Sequence, residues 1–175
     1  MPWRQMPDDF DAYRQRVLGY LGDRDPLSNQ RSTPRIVAKL VEDLPKHVLR
    51  WRPAPKQWSI LEVIGHMADA ELAMAWRLRS MLVSPGAQLA WFDQDEWATK
   101  LSYNEGNVRE YLALFTQLRK SNLQLLRAFT PRQQRARYGL HSVRGRQTVA
   151  EFVRLEAAHD LSHIRQIRAI LKART

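Results

Sequence analysis

Apolar residues recur every three or four positions through most of this chain, and prolines and glycines break the pattern at intervals. That is the signature of helices packed on one another with turns between them. A first helix is expected over 9–21, capped by Asp8 and closed by Gly22. Residues 23–32 are polar and read as a turn. Thr33-Pro34 pairs a capping side chain with proline at the first helical position, so a second helix is expected to run from there to Leu44. Pro45 interrupts it, and a short helical turn follows to Leu49. Trp51-Arg52-Pro53-Ala54-Pro55 is too proline-rich for regular structure.

The sharpest start signal is Ser59-x-x-Glu62, a capping box directly ahead of an apolar run. From Ile60 to Val83 the chain is apolar on nearly every side, with Leu61, Ile64, Met67, Ala68, Leu72, Ala75, Leu78 and Leu82. A helix of that kind lies in the middle of a bundle. Ser84-Pro85-Gly86 ends it. Residues 87–103 carry Trp91, Phe92, Trp97 and Tyr103 among three acids and predict an ordered loop pinned by aromatics. A third long helix is expected from Glu105 to Phe129, with Asn104 as cap and Thr130-Pro131 as stop. A basic, glycine-punctuated loop follows from Arg132 to Gln147. A second capping box, Thr148-x-x-Glu151, opens the last helix, which runs to Lys172. No strand pair, repeat or low-complexity tract is evident. The long helices and their varied connections predict an all-α, antiparallel four-helix bundle forming a single domain over 1–175.

Composition narrows the function classes. The 175 residues suit one domain, and 44% hydrophobic with 26% charged residues excludes a disordered chain. Lys+Arg number 28 against 18 Asp+Glu, a net charge of +10, which favours anionic partners. The absence of cysteine excludes disulfides, cysteine-ligated zinc, iron–sulfur clusters and a cysteine nucleophile. No apolar run approaches the roughly 18 residues of a membrane span, and Met1-Pro2-Trp3-Arg4-Gln5 lacks the apolar stretch of a signal peptide. A soluble, cytoplasmic protein is expected, with no membrane partner.

The chemistry lies in the histidines. His159 and His163 stand at i and i+4 in the last helix, a spacing that stacks two imidazoles about 6 Å apart on one face. The face is the apolar one: Val149, Phe152, Val153, Glu156, His159, His163, Ile167 and Ile170 form a single helical stripe. His66 occupies the centre of the buried second long helix, with Asp69 one turn on. A buried imidazole needs a partner for its nitrogens. Either each ring is a hydrogen-bonded core histidine, or all three share one metal ion with a fourth position left open, as in catalytic sites.

Two stretches carry a resemblance. Trp51-Arg52-Pro53 with Gln57-Trp58-Ser59-Ile60-Leu61-Glu62-Val63-Ile64-Gly65-His66-Met67-Ala68-Asp69-Ala70-Glu71, and His159-Asp160-Leu161-Ser162-His163-Ile164-Arg165-Gln166-Ile167 near the C-terminus, are similar to the two signatures of the DinB/YfiT-like superfamily. Phe92-Asp93-Gln94-Asp95-Glu96-Trp97-Ala98 resembles the YfiT-like branch. The resemblance spans residues 30–172 and implies an up-down-down-up bundle whose metal ligands are His66, His159 and His163. It implies a divalent ion, nickel or zinc foremost, and a metal-dependent hydrolase or a transferase that uses a low-molecular-weight thiol as cofactor.

Asp69, Glu156 and Asp160 are the acids nearest the ligands in sequence and the candidate catalytic residues. Each could orient an imidazole or move a proton. From Tyr111 through Ala150 there is no acid, while Arg119, Lys120, Arg127, Arg132, Arg135, Arg137, Arg144 and Arg146 fall in that interval. One reading is a solvated basic surface. A second is recognition of an anionic small-molecule substrate or thiol. The third is a non-enzymatic bundle that binds nucleic acid and keeps a structural metal, against which no helix-turn-helix signature stands. His141, in the same loop, is expected to be exposed. A homodimer is left open.

Overall fold

The computed structural model describes residues 10–174, so the Asp8 cap expected for the first helix lies outside the described residues. Helix α1 (Phe10–Leu21) leads into α2 (Pro26–Val41), a short α3 (Lys46–Leu49) and the long α4 (Ile60–Val83). Strand β1 (Ala87–Leu89), α5 (Gln94–Lys100) and a 3-10 turn (Tyr103–Glu105) connect to α6 (Val108–Arg127). Helix α7 (Pro131–Ala136), strands β2 (Tyr138–His141) and β3 (Gly145–Thr148), and α8 (Val149–Arg174) complete the order. Helices α2, α8, α4 and α6 pack in a closed ring, each on the next, and α1 lies against α8. This is the expected four-helix bundle.

Both capping boxes form. The Ser59 hydroxyl accepts from the Glu62 N–H while Glu62 accepts from the Ser59 N–H, so α4 starts where expected. Thr148 and Glu151 do the same for α8. One end of the core joins Ile60, Val63, Ile64 and Met67 of α4 to Phe115 of α6 and to Ile164 and Ile167 of α8. The other joins Met74, Leu78 and Met81 to Phe152 and Leu126. His66 lies within the α4 stretch of the first block, and His163 directly precedes its Ile164.

Several boundaries depart from expectation. Helix α2 begins at Pro26, with Asp25 accepting from Ser28 N–H at 2.6 Å, so much of the expected 23–32 turn is helical. Pro34 therefore lies inside the helix. It has no N–H for the carbonyl of Gln30, and Arg119 Nη1 donates to that oxygen instead at 2.9 Å. Helix α6 starts at Val108 behind an Asn107 cap, because Tyr103–Glu105 forms the 3-10 turn first. Asn104 accepts from the Ser59 hydroxyl at 2.6 Å and so ties that turn to the start of α4.

The aromatic loop contains α5, capped by Asp93, with the Phe92 and Trp97 rings 4.4 Å apart. Trp91 is 46% exposed and pins nothing. The largest correction is at 138–148. Strands β2 and β3 pair antiparallel and β1 joins β2 in parallel, a three-stranded sheet where no strand pair was expected. The hairpin turn ends on Gly145 at φ 69°, a left-handed conformation that favours glycine.

Candidate metal centre

Helix α4 delivers His66 and α8 delivers His159 and His163 to one point. Beside His66, Gly65 makes room for the 3-10 turn. A β-carbon there would lie 2.9 Å from Cγ of Tyr103, so glycine lets the 3-10 turn press onto α4 beside His66. The Nε2 atoms of His66 and His159 are 3.2 Å apart, and those of His159 and His163 are 2.9 Å apart. Candidate ligand atoms of all three lie within 4.8 Å of one another. Two nitrogens each about 2.0–2.1 Å from one ion at near-tetrahedral or right angles sit about 2.8–3.4 Å apart, so the spacing fits a shared ion.

The rings are also prepared electronically. His163 Nδ1 donates to Gln166 Oε1 at 2.9 Å, which places its proton on Nδ1 and leaves the Nε2 lone pair free. Burial pushes the pKa of His66 and of His159 well below the ordinary value, and His163 lowers both further. Burial lowers His163 too, opposed by its bond to Gln166 and by Asp160. All three rings are thereby held neutral, the form that ligates. The Trp58 ring walls one side, 4.9 Å from the His66 ring and stacked 6.5 Å from that of His163. Gln166 and Trp58 were not singled out as site residues, although Gln166 stands one turn from His163 on the same face.

The three acids have different surroundings. Glu156 Oε2 lies 4.0 Å from His159 Nδ1. Burial raises the Glu156 pKa, with Arg144 and Arg77 opposing. Asp160 has both carboxylate oxygens on Arg119, at 2.6 and 3.0 Å. Half-buried Asp69 accepts from the Tyr103 hydroxyl at 2.5 Å.

Arg119 is not part of a solvated basic surface: it is 2% exposed and also donates to Glu71 at 2.8 Å. His141 is likewise not exposed, at 3%. The end of β2 turns its ring inward, where Nδ1 accepts from the backbone N–H groups of Val143 and Arg144 at 3.1 and 3.3 Å. Burial, followed by Arg144 and Arg77, lowers its pKa to about 4. Among the described residues no helix is long and apolar enough to cross a membrane.

Comparison with known proteins agrees with this geometry. The sequence model of the DinB superfamily matches residues 31–167. A protein of Oceanobacillus iheyensis named "putative metal-dependent hydrolase" is 25% identical over 139 residues, which cover 79% of this chain and 80% of that protein. The solved structure of YfiT from Bacillus subtilis, described as "a probable metal-dependent hydrolase with an unusual four-helix bundle topology", superimposes with a TM-score of 0.77 at 18% identity, covering 97% of this chain and 92% of that one.

Proposed function

The chain belongs to the DinB superfamily, and on that premise we propose that it is a metal-dependent enzyme acting on a small molecule. His66, His159 and His163 would hold a divalent ion of the kind imidazole favours, nickel and zinc among them. The observation that carries this reading is the convergence of the Nε2 atoms, with the His163 tautomer fixed by Gln166. When bound, such an ion lowers the pKa of a water to roughly 7 or deprotonates a coordinating thiol.

The chain's own residues do the rest. Gln166 holds the Nδ1 proton of His163 and keeps its Nε2 directed inward. Glu156, with Oε2 4.0 Å from His159 Nδ1, is beyond hydrogen-bond distance of that ring and is the acid nearest to it that could exchange a proton through a bridging water. Asp160 and Asp69 are engaged elsewhere, with Arg119 and with the Tyr103 hydroxyl, and take no part in the assignment. Trp58 excludes water from one flank of the rings.

Hydrolysis leads, because relatives carry that description. Transfer through a thiol is the second reading. With no cysteine in the chain, the sulfur would come from a low-molecular-weight thiol. One experiment tests both. Metal-loaded wild type and His163→Ala are assayed on an ester and on an electrophile, with and without a small thiol. Activity confined to the loaded wild type supports the enzyme, and thiol dependence selects transfer. Equal rates in every condition would leave a non-enzymatic binding module as the better account.

A further inference from the structure

Beside the histidines lies a second set of buried polar groups that the metal reading does not use. His141 Nδ1 accepts two backbone N–H groups, so the proton of the neutral ring sits on Nε2. That Nε2–H is buried and, among the described residues, meets no acceptor. The Arg144 Nε–H is in the same position. Arg119 Nε and Gln30 Oε1 are buried without partners too, but two donors of this kind three residues apart on one hairpin form a pair that a bound ligand or water would complete.

Charge points the same way. Arg77 is 5% exposed, and a single backbone carbonyl, that of Ala90, takes its Nε and Nη2 donors at 3.1 and 2.5 Å. Burial, with Arg144 next, lowers its pKa to about 10. Glu156 lies at a loose 3.8 Å from Arg144. Each guanidinium lies near an aromatic ring that withholds water: Arg77 is 5.5 Å from Phe92 and Arg144 is 5.4 Å from Phe10. Among the described residues, Arg144 thus has one loose carboxylate partner and Arg77 lies within electrostatic reach of both, an excess of positive charge that an anion would relieve.

We propose that Arg77, Arg144 and the Nε2–H of His141 form a subsite for the oxoanion of a small molecule, a carboxylate or phosphate group carried by the substrate. The placement rests on the reading of the three histidines as the reaction centre. Glu156 bridges the two, with Oε1 toward Arg144 and Oε2 toward His159. The subsite therefore lies on the Nδ1 side of His159, behind the ring whose Nε2 faces the other two histidines. Burial of the donors excludes a polymer backbone and selects a small ligand.

The test is calorimetric titration of the full chain with inorganic phosphate at constant ionic strength, without metal and then with zinc. Saturable one-to-one binding is expected in the metal-free wild type. Arg144→Met should weaken it at least tenfold, Arg144→Lys less, and exposed Arg132→Gln should leave it unchanged, with circular dichroism confirming the fold. If Arg144→Met does not fold, the wild-type and Arg144→Lys titrations decide. Absence of saturable binding in the wild type, equal affinity in wild type and the Arg144 variants, or an equal loss in Arg132→Gln would each overturn the subsite. Phosphate binding that persists in a His159→Ala protein unable to hold zinc supports the subsite independently. A zinc-binding protein that takes no phosphate refutes the subsite and leaves the metal centre standing.

Discussion

Two buried polar clusters meet on α8 at consecutive residues, and they are built on opposite terms. His159 turns toward His66 and His163, its Nε2 3.2 and 2.9 Å from theirs. Asp160, the next residue, turns toward Arg119, whose four terminal N–H groups reach Asp160 twice, Glu71 and the Gln30 carbonyl. Asn122 donates to the remaining Glu71 oxygen at 2.8 Å. Burial alone would depress the guanidinium pKa, and Asp160 and Glu71 more than offset it. This second cluster pairs its charges within the protein and ties α2, α4, α6 and α8 together. The histidine cluster pairs no charges: its three rings are buried with lowered pKa values and converge on one another. Buried polar groups that close on one another build a fold; those left convergent await a ligand.

The widest separation between the clusters should appear in stability. Arg119→Met leaves two carboxylates buried without their cation, and unfolding free energy should fall by about 3–5 kcal/mol. Urea denaturation of the metal-free protein measures this, and a loss below about 1 kcal/mol would mean the ion pairs are not structural. His159→Ala should do the reverse. In the metal-free protein it should cost about 1 kcal/mol. Zinc affinity should fall at least about a hundredfold, or about 2.7 kcal/mol, by competition with a chromogenic chelator. If a chelator unfolds the wild type at room temperature, the histidine cluster is structural after all.

How much of this contrast was legible in the sequence follows from chemistry. The capping boxes and the unbroken apolar run of α4 marked the two longest helices to within two residues at either end. The i, i+4 spacing on an apolar stripe marked His159 and His163, and burial of the surrounding helix marked His66. The Arg119 cluster was invisible, because its partners lie 41 and 48 positions away and nothing local pairs them. Arg119 instead read as one cation among many in an acid-free tract. The start of α2 was ambiguous for a related reason. Thr33-Pro34 read as the start, but Asp25-Pro26 supplies the same cap and proline eight residues earlier, and Arg119 donates to the carbonyl that Pro34 leaves free inside the helix. Strands of three and four residues are too short for alternation to show.

A finer cut separates the ligands from what supports them. Gln166→Leu keeps the packing volume and removes the acceptor that fixes the His163 proton on Nδ1. Zinc affinity should fall about tenfold, or about 1.4 kcal/mol, with little change in metal-free stability. An unchanged affinity would mean that the tautomer is set without this bond.

The smallest effect should come from the start of the helix that carries both clusters. Thr148 and Glu151 cap α8 at its exposed first turn, two turns before Glu156. Thr148→Ala removes the hydroxyl and should cost about 0.5–1 kcal/mol of stability at pH 7. Zinc affinity should not change, because the rings are held by packing further along the helix. The cost should also depend on pH in a fixed direction. The hydrogen bond from the Thr148 backbone N–H, with the hydroxyl adding to it, lowers the Glu151 pKa against burial. A carboxylate with a lowered folded-state pKa stabilises the fold above the ordinary carboxylate range, and that contribution is lost as pH falls through the lowered value. The stability difference between wild type and Thr148→Ala, measured by urea at pH 7 and again near pH 4, should therefore shrink in acid. A difference that grows in acid would show that the cap acts through something other than the Glu151 carboxylate.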